Sequence, residues 1–136
     1  MNMDFFKTNS FRNFEQFEDA LKGIQDTTEK GNIFEIFGKY FFEFYKERYR
    51  IKNIWIPDTE IPNSKKQQLG ISERDKGADG LLENIEGEFY VFQAKFRSDR
   101  TSATYDELTN AFFQSQNCSG MYVFSNSTHV PDEFRE

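Results

Sequence analysis

Apolar residues in the first third of the chain recur at the three- and four-residue steps of amphipathic helices. Ser10 can cap a first helix, whose predicted buried stripe contains Phe11, Phe14, Phe17, Leu21 and Ile24. A second, unusually aromatic helix is predicted over residues 29–49. Its predicted buried face consists of Ile33, Ile36, Phe37, Tyr40, Phe41 and Phe44, with Glu35, Lys39 and Lys46 on the opposite side.

The middle of the chain has the shorter apolar runs of strands. Residues 54–56 predict a short first strand that ends at a proline. Residues 57–76 are polar and show no periodicity, so we expect a long mobile loop there. Residues 78–83 and 88–96 predict two strands joined by a tight turn, which together form a hairpin.

A helix and a last strand follow this hairpin. Thr104 and Glu107 have the spacing of a capping box, and residues 121–124 are an apolar run. A strand, a helix and another strand in succession predict a parallel crossover between strands 88–96 and 121–124. The expected fold class is therefore α/β, a sandwich with a central mixed sheet flanked by helices.

The length of the chain limits its organisation. With 136 residues there is room for one domain and one core, and 17 phenylalanines supply large side chains for that core. Pro131-Asp132-Glu133 has the composition of a helix start close to the last residue. We therefore expect residues 1–136 to be a single domain and the N-terminal piece of a longer polypeptide.

The charge balance counts against a simple nucleic-acid-binding surface. Lys and Arg number 17 and Asp and Glu 23, so the net charge is −6, whereas nucleic-acid binders usually present a basic surface. Two segments depart from this balance. Residues 39–52 carry a net charge of +3, and residues 95–100 carry +2.

Single cysteine and histidine residues restrict the chemistry further. Cys118 and His129 are the only ones, so one chain can form neither a Cys/His zinc site nor an internal disulfide. The sequence has no apolar run of membrane-spanning length, and its N-terminus lacks the regions of a signal peptide. We expect a cytoplasmic protein with no membrane partner.

The predicted hairpin carries three polar residues that are candidates for a functional site, namely Asp79, Gln93 and Lys95. Side chains two apart in a strand face the same way, so Gln93 and Lys95 lie on one face of the second strand. A turn centred on Glu86 would place Asp79 opposite Gln93, with Cβ atoms about 5 Å apart. A slip of one residue in this register would send Asp79 to the other face.

These residue types suit metal-assisted chemistry on phosphates. A carboxylate, an amide oxygen and a nearby backbone carbonyl are hard oxygen ligands of the kind that Mg²⁺ accepts while it keeps several waters. Such a metal acidifies a bound water and stabilises charge that develops on a phosphate. Lys95 would lie within reach of that water, where its ammonium group can position the nucleophile or share the phosphate charge.

The order of these residues resembles a known family. A Glu in a helix, then Gly-x-Asp, then Gln-Ala-Lys at the end of an apolar strand resembles the PD-(D/E)xK nuclease superfamily, and more narrowly its Mrr-like restriction endonuclease branch, where Gln commonly replaces the first acid of the (D/E)xK element. The resemblance covers roughly residues 30–127 through the runs KGNIFEIFGKYFFEFY, DKGADG, FQAKF and GMYVFSNS. The chain also resembles the variants fused ahead of superfamily 2 (DEAD/DEAH) helicases, which have a Trp-containing strand and a variable loop before the Asp motif.

The resemblance implies a role for each matching residue. Asp79 corresponds to a metal ligand, and Gln93 and the backbone carbonyl of Ala94 complete the metal site. Lys95 corresponds to the catalytic lysine. Glu35 is the helix acid, a catalytic residue and a further metal ligand. A neutral amide binds a cation less well than a carboxylate does, so with Gln93 in the site the metal affinity would depend more on Glu35.

The same resemblance implies the fold, cofactor and partners. It predicts a restriction-endonuclease-like α/β sandwich, a Mg²⁺ or Mn²⁺ cofactor and DNA as substrate. A helicase or DNA-recognition domain downstream in the same chain would be a partner, and a homodimer remains open. From the residues themselves, Arg97 and Arg100 are candidates for DNA binding, because a guanidinium can hold a phosphate bidentately.

Each of these features also has an ordinary structural explanation. Gln93 and Lys95 would fit the solvent-facing side of an antiparallel strand. Glu35 lies four residues before Lys39, the spacing of a surface ion pair on a helix. Arg97 and Arg100 would fit a solvated strand exit.

Three functions follow from the sequence. The first is a metal-dependent DNA endonuclease domain of a restriction or helicase-nuclease system, which hydrolyses phosphodiester bonds. The second is a catalytically weak or inactive module of the same fold that binds DNA or a partner protein. The third is a structural α/β adaptor in which Asp79 and Lys95 only pair with each other.

Overall fold

The computed structural model describes residue 6 and residues 11–71, 78–97 and 115–126. Its centre is a four-stranded sheet in the order β1-β2-β3-β4. The strands are β1 Ile51–Trp55, β2 Gly80–Asn84, β3 Phe89–Lys95 and β4 Gly120–Ser125. β2 pairs antiparallel with both β1 and β3, and β3 pairs parallel with β4. The predicted α/β fold with a mixed sheet and a parallel crossover is confirmed.

The register of the hairpin is the predicted one. Gly80 lies opposite Phe92, and Leu81 lies opposite Val91, as expected for a turn centred on Glu86. The Asn84 side chain stabilises this turn, because its Oδ1 accepts hydrogen bonds from the backbone N–H groups of Glu86 (3.1 Å) and Glu88 (2.8 Å). The side chains of β3 therefore alternate between the two faces of the sheet in the order that the sequence predicts.

Within the described residues, three α-helices and one 3₁₀ helix accompany the sheet. They are α1 Phe14–Lys22, α2 Thr27–Phe44, the 3₁₀ helix Asp58–Glu60 and α3 Asn63–Leu69. α1 is capped by the side chain of Asn13; the predicted cap, Ser10, lies outside the described residues. The Asp26 carboxylate accepts from the N–H groups of Thr28 and Glu29, so α2 begins two residues before its predicted start. None of these helices combines the length and apolarity needed to cross a bilayer.

The buried face of α2 differs from the predicted one. Phe34, Gly38 and Phe42 are buried, at a four-residue spacing, whereas Phe44 is 81% exposed and Tyr40 is 36% exposed. The reason is a close approach at Gly38, where an added Cβ would lie 2.6 Å from Cζ of Phe92 and 3.2 Å from Cδ2 of Phe124. The helix packs on the sheet along the line that passes through its glycine, and this turns Phe44 away.

The second face of the sheet is covered by residues that the sequence assigned to a loop. The predicted mobile loop over residues 57–76 is wrong for its described part, which forms the 3₁₀ helix and α3. Three apolar residues of this segment, Ile61, Leu69 and Ile71, are buried in a cluster that also contains Leu81 and Val91. Their burial organises an otherwise polar segment, and the sheet is consequently covered on both faces.

Several predicted features lie outside the described residues. These are the helix with the Thr104 and Glu107 capping box, the helix start at residues 131–133, and Arg100.

Replacement of Gly38 by alanine tests the packing of α2 on the sheet. The added methyl group would meet the ring of Phe92, which is 0% exposed and packed on every side. We expect Gly38→Ala to lower the free energy of unfolding by about 1–3 kcal/mol in urea titrations. Gly31 is a matched control in the same helix, since an added Cβ there meets nothing within 4 Å. Gly31→Ala should stabilise the chain by about 0.5–1 kcal/mol, and equal stabilisation by both substitutions would contradict the close approach.

Candidate active site

Asp79 stands immediately before β2 and is attached to β3 in two ways. Its backbone N–H donates to the carbonyl oxygen of Phe92 at 2.8 Å. Its carboxylate Oδ2 accepts from the backbone N–H of Ala94, also at 2.8 Å. The register ends at Gly80 opposite Phe92, so Asp79 lies one residue beyond the paired part of β2 and is held against the stretch of β3 from Phe92 to Ala94. Gln93 lies within that stretch, and a direct pairing of Asp79 with Gln93 stays a prediction.

Gln93 lies in the interior of the protein. Its side chain is 3% exposed, so the solvent-facing explanation for this residue is wrong. On the same face of β3, Val91 packs in the cluster that contains Ile61 and Leu69 of the segment after β1, so this face of the sheet is covered. Lys95, two residues further along the same face, is half-buried at the end of β3.

The amide oxygen of Gln93 has an unusual environment. Its Oε1 is buried and accepts no hydrogen bond from any residue that the structure describes. A buried acceptor without a partner costs about 1–3 kcal/mol, and such groups are rare in folded proteins. An oxygen in this position is available to a ligand that supplies positive charge or a donor.

Glu35 projects from α2 into the same electrostatic environment. The pKa of Glu35 is raised to about 8, mainly by burial and also by the negative charges of Asp79 and Asp58, while the positive charge of Lys95 acts in the opposite direction. The alternative surface pair with Lys39 is not formed, because Nζ of Lys39 contacts Oε2 of Glu60 at 3.4 Å instead. The structure therefore brings Glu35 together with Asp79 and Lys95.

The carboxyl group of Asp79 is perturbed in the same direction. The pKa of Asp79 is raised to about 6, mainly by burial and to a smaller extent by the charge of Asp58. The hydrogen bond from Ala94 and the charge of Lys95 act against it. Lys95 forms no salt bridge with either acid in the described part of the chain, so the paired contact expected of a structural adaptor is absent there.

Asp58 is a member of this group that sequence analysis did not single out. It is the first residue of the 3₁₀ helix that follows β1, and its charge affects both Glu35 and Asp79. The predicted order of the strands could have indicated Asp58 from the sequence. In an antiparallel pair the end of β1 lies beside the beginning of β2, so an acid just after β1 lies near an acid just before β2.

Of the two candidate DNA-binding arginines, Arg97 lies within the described residues and Arg100 lies outside them. The backbone of Arg97 is held by Asn126, whose Oδ1 accepts from the Arg97 N–H at 2.9 Å and whose Nδ2 donates to the Arg97 carbonyl at 2.6 Å. Asn126 Nδ2 also lies 2.8 Å from Oε2 of Glu18, which is 2% exposed. This network anchors the chain two residues beyond Lys95 to α1 and gives Arg97 a structural role at its backbone.

The oxygens around Asp79 can be compared with the needs of a metal ion. Within the described ranges, no three His, Cys, Asp or Glu residues converge closely enough to hold one. Mg²⁺, however, is commonly bound by one or two carboxylates and completes its shell with water and substrate oxygens. The Asp79 carboxylate and the unpartnered Gln93 Oε1 fit such a site, with the Ala94 carbonyl as a third oxygen.

Removal of the Glu35 charge tests the electrostatics of the site. A raised pKa in the folded chain means that the folded state keeps a proton that the unfolded state releases. Stability without metal should therefore fall as the pH rises from 4.5 to about 8, by on the order of a few kcal/mol. Glu35→Gln should remove the part of this decline between pH 6 and 8, as measured by urea unfolding in EDTA.

Glu43→Gln is the control for this experiment, since Glu43 is exposed on the same helix. Its pH profile should match that of the wild type. A Glu35→Gln profile as steep as that of the wild type would contradict the assigned environment.

The resemblance to a nuclease family depends on these residues alone. Comparisons of the chain with models of known protein families, with curated proteins and with solved structures give no match.

Proposed function

We propose that this chain is a Mg²⁺- or Mn²⁺-dependent DNA endonuclease domain of a restriction or helicase-nuclease system, acting in the cytoplasm. The observation that carries the proposal is the buried, unpartnered Oε1 of Gln93 beside the anchored carboxylate of Asp79. A site built only for stability would satisfy or replace such an oxygen. The resemblance to the PD-(D/E)xK superfamily assigns metal binding to these same two residues.

The acidic groups support the choice of a cation. Glu35, Asp58 and Asp79 act on one another, and Lys95 is the cation that lowers the pKa of both Glu35 and Asp79. The raised pKa values of Glu35 and Asp79 mean that their ionised forms are unfavourable in the metal-free chain. A divalent cation would favour both ionised forms, and it would also let a negatively charged phosphate approach three acids.

The reaction assigned to the site is hydrolysis of a phosphodiester. The oxygen of a water molecule bonds to phosphorus, the bond from phosphorus to one sugar oxygen breaks, and a proton of the water ends on that leaving oxygen. When bound, the metal would acidify the attacking water and neutralise phosphate charge. Asp79, Gln93 and the Ala94 carbonyl would hold it.

The remaining residues act on the substrate and on the proton. Lys95 lies two residues from Gln93 on the same strand face, so its ammonium group can stabilise the charge that develops on the phosphate. Glu35, with a pKa of about 8, holds a proton at neutral pH in the metal-free chain. A group with a pKa near the working pH is suited to exchange protons with the site.

DNA affinity would come mainly from elsewhere. The net charge of −6 disfavours binding to a polyanion, and the resemblance implies a helicase or DNA-recognition domain in the same chain. Within this chain, Lys46, Arg48 and Lys52 are exposed on the basic segment and would contribute non-specific contacts.

The second candidate is a weak or inactive module that binds DNA or a partner protein. Gln93 favours it, because a neutral amide supplies less attraction for a cation than the carboxylate found at this place elsewhere in the superfamily. The two candidates differ in their need for metal and for Lys95.

Cleavage of supercoiled plasmid tests the endonuclease directly. The wild type should nick or linearise plasmid with Mg²⁺ or Mn²⁺ and not with EDTA. Asp79→Ala and Lys95→Ala should each lose at least about 100-fold in rate, because each removes an electrostatic contact to the transition state. Asp19→Ala and Lys22→Ala, at exposed positions of α1, should cleave like the wild type.

Thermal unfolding of each variant shows whether its fold is retained. Equal activity in all variants would indicate a contaminating nuclease and contradict the site. Metal-independent DNA binding without cleavage by the wild type would instead support the binding module.

Substitutions of Gln93 test the role assigned to its oxygen. Gln93→Met keeps the size of the side chain and removes the unpartnered acceptor, so we expect the metal-free chain to gain about 1–3 kcal/mol of stability. The same variant should lose the increase in melting temperature that Mn²⁺ produces in the wild type. Gln93→Glu adds a second carboxylate and should tighten Mn²⁺ binding roughly tenfold, equivalent to about 1.4 kcal/mol. Metal stabilisation that survives in Gln93→Met would exclude this oxygen as a ligand.

A further inference from the structure

Asp58 is held beside the candidate site by the packing of the chain around β1. β1 runs antiparallel to β2, and Trp55 at its end lies opposite Leu81 near the beginning of β2. At Gly80, an added Cβ would lie 2.6 Å from both the Trp55 carbonyl oxygen and Cγ1 of Ile56. The chain leaving β1 is therefore pressed against the residue that follows Asp79.

The 3₁₀ helix is then fixed at both of its ends. The Asp58 carbonyl oxygen accepts from the N–H of Ile61 at 3.0 Å, and Ile61 is buried in the cluster that contains Leu81. Glu60 contacts Lys39 of α2 at 3.4 Å, and Lys39 lies four residues after Glu35. Asp58 is thus positioned between the helix that carries Glu35 and the strand that follows Asp79.

Neither of the two salt bridges in the described part of the protein includes the Asp58 carboxylate. The negative charge of Asp58 contributes to the raised pKa of both Glu35 and Asp79, so the three acids lie within electrostatic reach of one another. Three acids close together favour the binding of a cation between them.

A cluster of acids alone does not define a ligand site, and Gln93 supplies the independent observation. Its Oε1 is buried and unpartnered, and the next residue, Ala94, donates its backbone N–H to the Asp79 carboxylate. This oxygen cannot be explained by repulsion among acids, since it is neutral. It indicates that the ligand of the site is a cation or a donor that reaches into the sheet.

We propose that Asp58 is a positioning residue for the metal ion of this site, which it contacts through water molecules that the ion retains. The inference rests on the proposed metal-dependent function. Because Mg²⁺ keeps several of its waters when bound, Asp58 can reach the ion through one of them without being a direct ligand. Mg²⁺ and Mn²⁺ sites use such outer carboxylates to orient bound water, and their loss costs about 10- to 100-fold in metal affinity.

The test is Mn²⁺ binding to the 136-residue chain, followed by the electron paramagnetic resonance signal of free Mn²⁺. Asp58→Asn should weaken Mn²⁺ binding by about 10- to 100-fold, and Asp58→Glu should restore most of it. Glu43→Gln, at an exposed position of α2, is the control and should bind Mn²⁺ like the wild type. Asp79→Asn should abolish measurable binding.

Stability in EDTA separates a positioning role from a structural one. Loss of the Asp58 charge relieves repulsion of Glu35 and Asp79, so Asp58→Asn should raise the melting temperature of the metal-free chain at pH 8. A lower melting temperature together with weaker Mn²⁺ binding would make Asp58 structural and overturn the proposal.

The outcomes distinguish this inference from the function on which it rests. Binding that Asp79→Asn abolishes and Asp58→Asn leaves unchanged would overturn the role of Asp58 and leave the proposed function standing. Absence of Mn²⁺ binding by the wild type at millimolar concentrations would overturn both.

Discussion

Asp79 is attached to β3 through its backbone N–H and through its carboxylate, and the arrangement of the whole site depends on this double contact. The backbone bond to Phe92 holds Asp79 against β3 just beyond the last pair of the ladder, Gly80 and Phe92. The side-chain bond to Ala94 points the carboxylate along β3 toward the end where Lys95 lies. A one-residue slip would break both bonds and would also remove Leu81 and Val91 from the core, so packing and site geometry enforce the same register.

The candidate site lowers the stability of the folded chain through a few groups. Gln93 has a buried oxygen without a partner, and burial shifts the pKa of both Glu35 and Asp79 upward. A domain of this size is stable by only about 5–15 kcal/mol, so a handful of such groups takes a large share. The aromatic packing of α1 and α2 on the sheet offsets this cost, because Phe17, Phe34 and Phe92 are almost fully buried.

α2 serves both the core and the site. The stripe through Gly38 lets the helix approach the sheet closely, and this depth of approach brings Glu35 within electrostatic reach of Asp79 and Lys95. On the other side of the sheet, the segment after β1 packs on the face that carries Gln93, and this segment contains Asp58. The site therefore lies where a helix, a hairpin and a connecting segment meet, which is a common location for ligand sites in α/β proteins. The fold by itself does not decide whether the site is active, since one scaffold can host a live site or none.

Local pattern was sufficient for part of this architecture. Alternation along 88–96 and the turn around Glu86 predicted the hairpin register from Gly80 to Glu83, because that register depends on residues close in sequence. Helical spacing predicted α1 and α2, although the buried face of α2 was assigned by hydrophobicity and missed the line through Gly38.

Contacts between distant segments decided the rest. The order in residues 57–71 and the place of Asp58 arise from packing of the segment after β1 against β2 and β3, and the burial of Gln93 likewise depends on residues distant in sequence. Sequence spacing offered Glu35 in the same helix as the partner of Lys39, whereas the structure has Lys39 in contact with Glu60 of another segment. By itself, the sequence determined which residues share a strand face, because that follows from backbone geometry. Only the tertiary structure decided which of them are buried and which charges act on one another, because burial and electrostatic coupling depend on neighbours that are far apart along the chain.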